Sequence, residues 1–391
     1  MHSLLASMLP GPLCAAALPV GGGGGHVDDG PVAAALKHAA NWLTEPTRYS
    51  VASILGLIAV LYFRRFFSKV WVVTVFFALS TAFFVFAFQD PNFNAIITKP
   101  DNVPIIILFA TVVFFSWLAL RRAVINDERT KRGEPTLEGE LAKQKVFTWP
   151  DLVYSELICL VLFTAAMLVW SILITAPIEE PAATARTPNP SKAPWYFLGL
   201  QELLVYFDPW IAGVLLPSFI IVGLCAIPYI DTNPKGNGYY TFEERPFAIS
   251  FFWVGFLLFW VSFVILGTFL RGPNWSFFGP FEYWDLHKLE PMVNVDLSTW
   301  VWVDILGKPR PDNPFVREAP GIVLLIGYFL VLPPLLGKTV MRKMVTDMGM
   351  IRFNVFMHLF LWFVLIPIKM GLRWTVNLKY FIGMPEYFFN V

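Results

Sequence analysis

Asn189-Pro190-Ser191-Lys192-Ala193-Pro194-Trp195-Tyr196-Phe197-Leu198-Gly199-Leu200-Gln201-Glu202-Leu203-Leu204 lies in a Pro-rich loop between two long apolar runs. Proline's missing N–H costs nothing in the first turn of a helix, so Pro194 can open one. The pattern predicts a short amphipathic helix to about Phe207. Trp195, Leu198, Gly199, Glu202 and Tyr206 recur at helical spacing and share one face. That face carries two aromatics and one carboxylate beside membrane. It suits a flat aromatic ligand that must lose protons. It equally suits an interfacial helix whose aromatics anchor at the headgroups, and spacing alone favours this second reading.

Outward from this loop, apolar runs recur that are long enough to span a bilayer, for which ~20 residues suffice. They are Val51–Phe67, Val70–Phe88, Pro104–Leu120, Leu152–Ile174, Ile211–Ile230, Phe247–Phe269, Pro320–Leu336 and Phe353–Ile368. The fold class is therefore all-α, a polytopic membrane protein with about eight transmembrane helices. Pro217, Pro228 and the pair Pro333-Pro334 should kink or end their spans. A charged stretch, Asn126–Lys145, breaks the membrane pattern and is read as a loop. Ala33–Leu43 reads as a short surface helix. Leu4–Val20 is apolar and precedes a glycine run. It reads as a flexible tail, a misassigned start or a signal peptide, though no basic residue precedes its apolar part.

Composition agrees: 391 residues, 56% hydrophobic and 15% charged, describe a membrane protein. The net charge of +1 gives no reason to expect nucleic acid. Of the cysteines, Cys159 and Cys225 lie in apolar runs and Cys14 near the start, with no Cys-x-x-Cys-His for a covalent haem. No Cys cluster suits an iron–sulfur centre. The histidines are His2, His26, His38, His287 and His358. Two b-type haems need paired histidines on facing spans, and only His358 lies in a span. Neither a metal site nor a haem is expected on this chain.

Lys and Arg set the orientation. Arg64, Arg65, Lys69, Arg121, Arg122, Arg129, Lys131, Arg132, Lys143, Lys145, Lys235, Arg245, Lys338, Arg342, Lys343 and Arg352 fall in loops on one side. The opposite short loops hold mainly Lys99, Arg186 and Lys192. The positive-inside rule puts the first set in the cytoplasm. The Trp195 loop is then periplasmic, in a bacterial inner membrane.

Pro194-Trp195-Tyr196 followed by Leu198-Gly199-Leu200-Gln201-Glu202-Leu203-Leu204 resembles the quinol-site loop of the C-terminal half of cytochrome b. This unit also occurs as the separate subunit IV of plastoquinol-oxidising complexes. The family pattern is Pro-Glu-Trp-Tyr; here Ala193 and Pro194 stand where Pro and Glu would be, so the proton-accepting glutamate is missing. Further matches follow in order over roughly 146–336. They are Trp149-Pro150-Asp151-Leu152, the connector Pro177–Pro190, Leu215-Leu216-Pro217, Ala226-Ile227-Pro228-Tyr229-Ile230-Asp231, Arg245-Pro246-Phe247, and Gly267-Thr268-Phe269-Leu270-Arg271-Gly272-Pro273-Asn274-Trp275. The last is similar to menaquinol-type members. The chain then divides into a tail with a surface helix (1–50), a three-helix membrane extension (51–122), a cytoplasmic loop (123–150), a domain similar to the cytochrome b C-terminal half (151–336), and an extra helix and tail (337–391).

The resemblance implies a subunit of a menaquinol:cytochrome c oxidoreductase-like bc complex, inactive alone, with quinol as bound substrate. A partner cytochrome b N-terminal half would supply the b-type haems. A Rieske iron–sulfur or c-type cytochrome subunit would accept electrons, in a dimeric multisubunit complex that translocates protons. Quinol oxidation needs an apolar pocket and proton acceptors. Glu202 is the candidate base in place of the missing glutamate; it equally suits an interfacial carboxylate or a pair with a partner subunit. Tyr196 is a hydrogen-bonding candidate or an anchor. Pro194, Trp195, Leu198, Tyr206 and Arg271 are candidates for quinone binding, although Arg271 and Trp275 by themselves read as a snorkelling base and a belt tryptophan. At the cytoplasmic side, Asp151 and Glu156 are candidates for proton uptake near a second quinone site; an acid near a helix N-terminus is also favourable in itself. The rival readings are a non-catalytic scaffold subunit of a respiratory complex and a transporter. Few intramembrane charges and no internal repeat argue against the transporter.

Overall fold

Long apolar stretches leave the backbone no partner but itself in lipid, so they become helices. The structure, a computed structural model, describes residues 30–174, 184–185, 187–236, 238–290, 293–387 and 389–391. The apolar segment at 4–20, Cys14, His2, His26, Arg186 and most of the connector at 177–190 lie outside the described residues. Helix α1 is Pro31–Thr44 and α2 is Pro46–Tyr62, each opening on a proline. Among the described residues, seven further helices are long and apolar enough to span a bilayer. These are α3 (Val70–Ala87), α4 (Asn102–Lys131), α5 (Thr148–Leu173), α7 (Ile211–Ile230), α8 (Pro246–Leu270), α9 (Ala319–Lys338) and α10 (Met350–Val376). Between α5 and α7 lies the short helix α6, Trp195–Leu203. With the apolar α2 of 17 residues, the expected all-α polytopic architecture is present.

One detail differs from the hydropathy reading, and a second narrows its expectation that prolines kink or end their spans. Helix α4 does not stop where the charges begin at Asn126; it runs to Lys131. Charge ends a membrane segment, but it does not end a helix whose polar residues find partners. Asn126 Nδ2 donates to the Tyr240 carbonyl (2.8 Å) and to Glu138 (2.7 Å). Asp127 accepts from the Thr241 hydroxyl at 2.6 Å and from the backbone N–H groups of Phe242 and Glu243 at 3.1 and 3.2 Å. The protruding end of α4 is thereby fastened to the 231–245 loop. Secondly, Pro217 and Pro333 do not end their helices. A π-helical turn precedes each, Ile211–Leu215 and Gly327–Val331. Such wide turns absorb the missing N–H without stopping the chain.

Residues Ala40–Val391 form one compact unit. Its main core joins the end of α6 (Leu203, Tyr206, Phe207) to α7 (Ile211, Leu216), α8 (Phe259, Phe263, Leu266, Leu270) and α10 (Leu365, Met370). The chain end closes over it through Leu378, Phe381, Ile382, Met384 and Val391. Here β1 (Val295–Asp296) pairs in parallel with β2 (Leu378–Tyr380), and β3 (Gly383–Met384) pairs antiparallel with β4 (Phe389–Asn390). Helix α5 contributes none of these core residues, and its apolar window is 0% buried. Polar contacts sort the loops into two ends. One end joins 63–69, 121–147 and 231–245, as in the pairs of Glu243 with Arg64 and Lys131. The other joins 187–210 to 271–318 and the chain end, as where the Trp210 indole donates to the Asn390 carbonyl.

Candidate functional site

Helix α6 begins at Trp195, and Pro194 is its N-cap, in extended backbone, with its carbonyl accepting from Phe197 N–H at 2.8 Å. Gln201 reaches back from this helix into the loop. Its Oε1 accepts from Ala193 N–H (2.9 Å) and its Nε2 donates to the Ser191 carbonyl (2.8 Å). Asn189 is held from the other side: its Nδ2 donates to Asn274 Oδ1 at 2.9 Å and its Oδ1 accepts from Asn274 N–H at 2.7 Å. The loop is thus fixed at both ends to secondary structure.

The helix ends at Leu203 rather than about Phe207, and the stripe read from the sequence is largely a packing face of α6 and of the turn that follows it. Leu198, Gly199, Glu202 and Tyr206 are buried, Trp195 is half-buried, and Tyr196 and Phe197 point outward. Gly267 lets α6 and α8 approach closely, whereas Gly199 leaves ordinary contact space. A Cβ on Gly267 would sit 3.2 Å from the Leu198 carbonyl oxygen, and one on Gly199 would meet Val264 at 3.5 Å. Trp195 meets Trp260 edge-on at 6.0 Å, and Trp260 continues a stacked row through Phe256 (5.3 Å) to Phe252 (5.6 Å from Phe256). An aromatic ridge therefore runs up α8 and ends at Trp195 and Tyr196.

Glu202 is 0% exposed and ion-paired with Arg271. The guanidinium donates twice, Nη2 to Oε1 at 2.6 Å and Nε to Oε2 at 3.0 Å. The Trp275 indole adds a third bond to Oε2 at 3.2 Å, and Arg271 Nη1 donates to the Trp275 carbonyl at 3.2 Å. Arg271 does not snorkel and Trp275 is no free belt residue: both turn inward onto one carboxylate. Asn274 and Trp275 hold positive φ angles of 58° and 57°. That is a rare conformation for a bulky residue, and these bonds keep it. A buried bidentate pair satisfies lone pairs and donors that lipid could not. It joins α6 to the exit of α8. Tyr206 is buried beside it, and burial together with the Glu202 charge pushes its phenol above the ordinary range.

Lys192 is a further polar group in this loop, beyond the residues expected from the sequence to form the site. It is partly buried. Its Nζ donates to the Thr268 carbonyl at 2.9 Å and lies 4.8 Å from the Trp284 ring centre. Burial pushes its ammonium down to about 7, Lys99 and Arg271 act in the same direction, and Glu202 opposes them. A lysine inside an otherwise apolar, aromatic loop is the signal that could have marked it.

The other candidates lie elsewhere. Asp151 and Glu156 are exposed near the start of α5, at the end bearing the basic loops. They are not brought to the Trp195 loop. His358 Nδ1 lies 2.8 Å from the Asn354 carbonyl one turn earlier, a local contact within α10. Among the described residues no group of three or more His, Cys, Asp or Glu side chains converges. Among the described residues His358 is the one histidine in a membrane-spanning helix.

Residues 181–279 match the family described as cytochrome b(C-terminal)/b6/petD. The match covers the Trp195 loop, α6, α7, α8 and the Arg271–Trp275 exit. It is narrower than the resemblance read over 146–336. No solved structure matches the chain.

Proposed function

We propose that this chain, whose residues 181–279 match the cytochrome b C-terminal family, is a membrane subunit of a quinol-oxidising bc-type complex and forms one wall of its positive-side quinol pocket. The family match over the loop carries this reading. The geometry supports it: a rigid loop and helix, set at the end of an aromatic ridge, suit a flat ring entering from lipid. Pro194 and Trp195 supply that wall, with Leu198 buried behind them against α8, and Tyr196, 49% exposed, is the outward hydroxyl able to hydrogen-bond a ring oxygen. Arg271, Glu202 and Tyr206 lie behind it and hold it in place. Glu202 is 0% exposed and both its oxygens accept from Arg271, so it offers a quinol hydroxyl no open face. Haem-bearing and high-potential partners, a cytochrome b N-terminal half and a Rieske or c-type subunit, take the electrons. The low-potential quinone is menaquinol, from the Gly267–Trp275 pattern. Asp151 and Glu156 serve the cytoplasmic side.

The test is isolation of the native assembly in mild detergent. The expected result is a co-purifying b-haem subunit, visible in reduced-minus-oxidised spectra, and quinol-dependent reduction of a one-electron acceptor. An assembly without haem, or without quinol oxidation, overturns the proposal. The pair Glu202–Arg271, taken up by structure, favours the scaffold reading for that carboxylate alone. Quinol turnover and its pH profile unchanged in Glu202→Gln would assign it to positioning.

A further inference from the structure

At the two positions where the family pattern has Pro and Glu, this chain has Ala193 and Pro194, and neither side chain can take a proton. Glu202 is closed off by Arg271 and the Trp275 indole. One titratable group remains in the stretch Ser191–Pro194, and it is the residue immediately before Ala193. Lys192 is placed with care. Gln201 fixes the backbone on both sides of it, through Ser191 and Ala193. Thr268 and Trp284 hold its amine, one by a carbonyl and one by a ring face. These same two residues carry buried polar atoms, Thr268 Oγ1 and Trp284 Nε1, that have no hydrogen-bond partner among the described residues. Buried polar groups ordinarily find partners. The two residues that hold the amine thus also carry a hydroxyl and an indole N–H that an oxygen-bearing ligand would satisfy.

We propose that Lys192 is the proton acceptor for a quinol hydroxyl at this pocket, with Thr268 and Trp284 as the groups that orient the ring oxygen. The assignment rests on the quinol-oxidising reading above. The Nζ lone pair takes the hydroxyl proton: the quinol O–H bond breaks, an N–H bond forms, and the products are quinolate and an ammonium. No electron moves in this step. Both electrons then leave singly to the metal centres of the partner subunits. The new ammonium sits against the quinolate it created and stabilises it.

The charged groups facing Lys192 are Lys99 from the turn before α4, Glu202 on α6 and Arg271 at the exit of α8. In the Trp284 loop, Lys288 is paired with Glu282 (3.9 Å) and Glu290 (3.6 Å). Burial, with Lys99 and Arg271, favours the neutral amine, and Glu202 opposes them. Turnover should therefore rise with pH through about 7, as the amine becomes free to accept. Lys99 and Arg271 also favour return of the proton to water once the product leaves.

The experiment is the pH profile of quinol-dependent acceptor reduction by the intact complex, wild type against Lys192→Met and Lys192→Arg. Each preparation is checked for subunit content and haem spectrum. General base catalysis contributes about 10²–10⁴-fold, so Lys192→Met should lose turnover by about 10²-fold or more, and the rising limb with it. Lys192→Arg keeps the charge, the Thr268 bond and the contact with Trp284, but does not give up its proton. It should assemble with quinol KM near wild type and lose turnover as severely. Near-normal turnover or an unaltered pH limb in either assembled variant overturns the assignment and leaves the quinol-oxidising reading standing. A wild-type profile without a rise near pH 7 overturns it without any variant, and decides alone if neither variant assembles. A wild-type complex that oxidises no quinol removes both readings.

Discussion

Glu202 shows how much depends on a single partner. Removing one member of a buried pair strands the other charge, which typically costs about 3–5 kcal/mol. Glu202→Gln and Arg271→Met should each lower the thermal unfolding midpoint of the detergent-solubilised complex. The double variant Glu202→Leu/Arg271→Met should recover much of that loss, because it leaves no unpaired charge. Equal, additive losses would show that the two residues do not act as a pair. Little of this was legible beforehand. The sequence offers Glu202 as a carboxylate on a helix and Arg271 as a base at a helix end. That they meet 69 positions apart depends on how α6 crosses α8. Lys192 was passed over for the same reason: its partners Thr268 and Trp284 are distant in sequence.

Among the elements, α6 and the chain end are the informative ones. The helical stripe on α6 was read correctly as a stripe, but a period cannot say what it faces. Leu198, Gly199 and Glu202 turn to α8, where Gly267 makes room for the Leu198 backbone. The segment 377–391 closes the same end of the bundle. Glu318, 0% exposed, accepts from Gly383 N–H at 3.1 Å and from Arg317 Nε at 3.0 Å. Gly321 lies so close that an added Cβ would stand 1.8 Å from the Phe381 carbonyl oxygen. Backbone cannot yield as a flexible side chain can. Gly321→Ala should dislodge this segment at an overpacking cost of about 1–3 kcal/mol. Tryptic cleavage after Lys379 in the solubilised protein should then speed up by about tenfold, which is ~1.4 kcal/mol. Unchanged protection at Lys379 would show that the segment is not seated on α9.

For the whole molecule, two questions follow from the fold: which way it faces and what covers α5. The basic short loops at 63–69, 121–145 and 231–245 lie at one end of the bundle and the Trp195 loop lies at the other. In cells carrying a chain freed of its native cysteines, Ser191→Cys should react with a membrane-impermeant maleimide and Lys143→Cys should not. The reverse labelling would place the Trp195 loop in the cytoplasm and remove the positive-side pocket. Helix α5 carries Glu156 with its whole apolar length outside the core. A carboxylate in a span ordinarily faces protein or water rather than lipid.

The sequence by itself determined the helices, their order, the membrane and the family resemblance of the Trp195 loop, because hydropathy, helical spacing and short motifs are local properties. It misjudged the end of α4, where polar residues that seemed to close a span instead dock onto another loop. Which side chains meet was decided only by tertiary structure. The ion pair of Glu202 with Arg271, and the amine of Lys192 between a carbonyl and an indole, exist because close packing, as at Gly267, brings distant segments together. No local pattern encodes that approach.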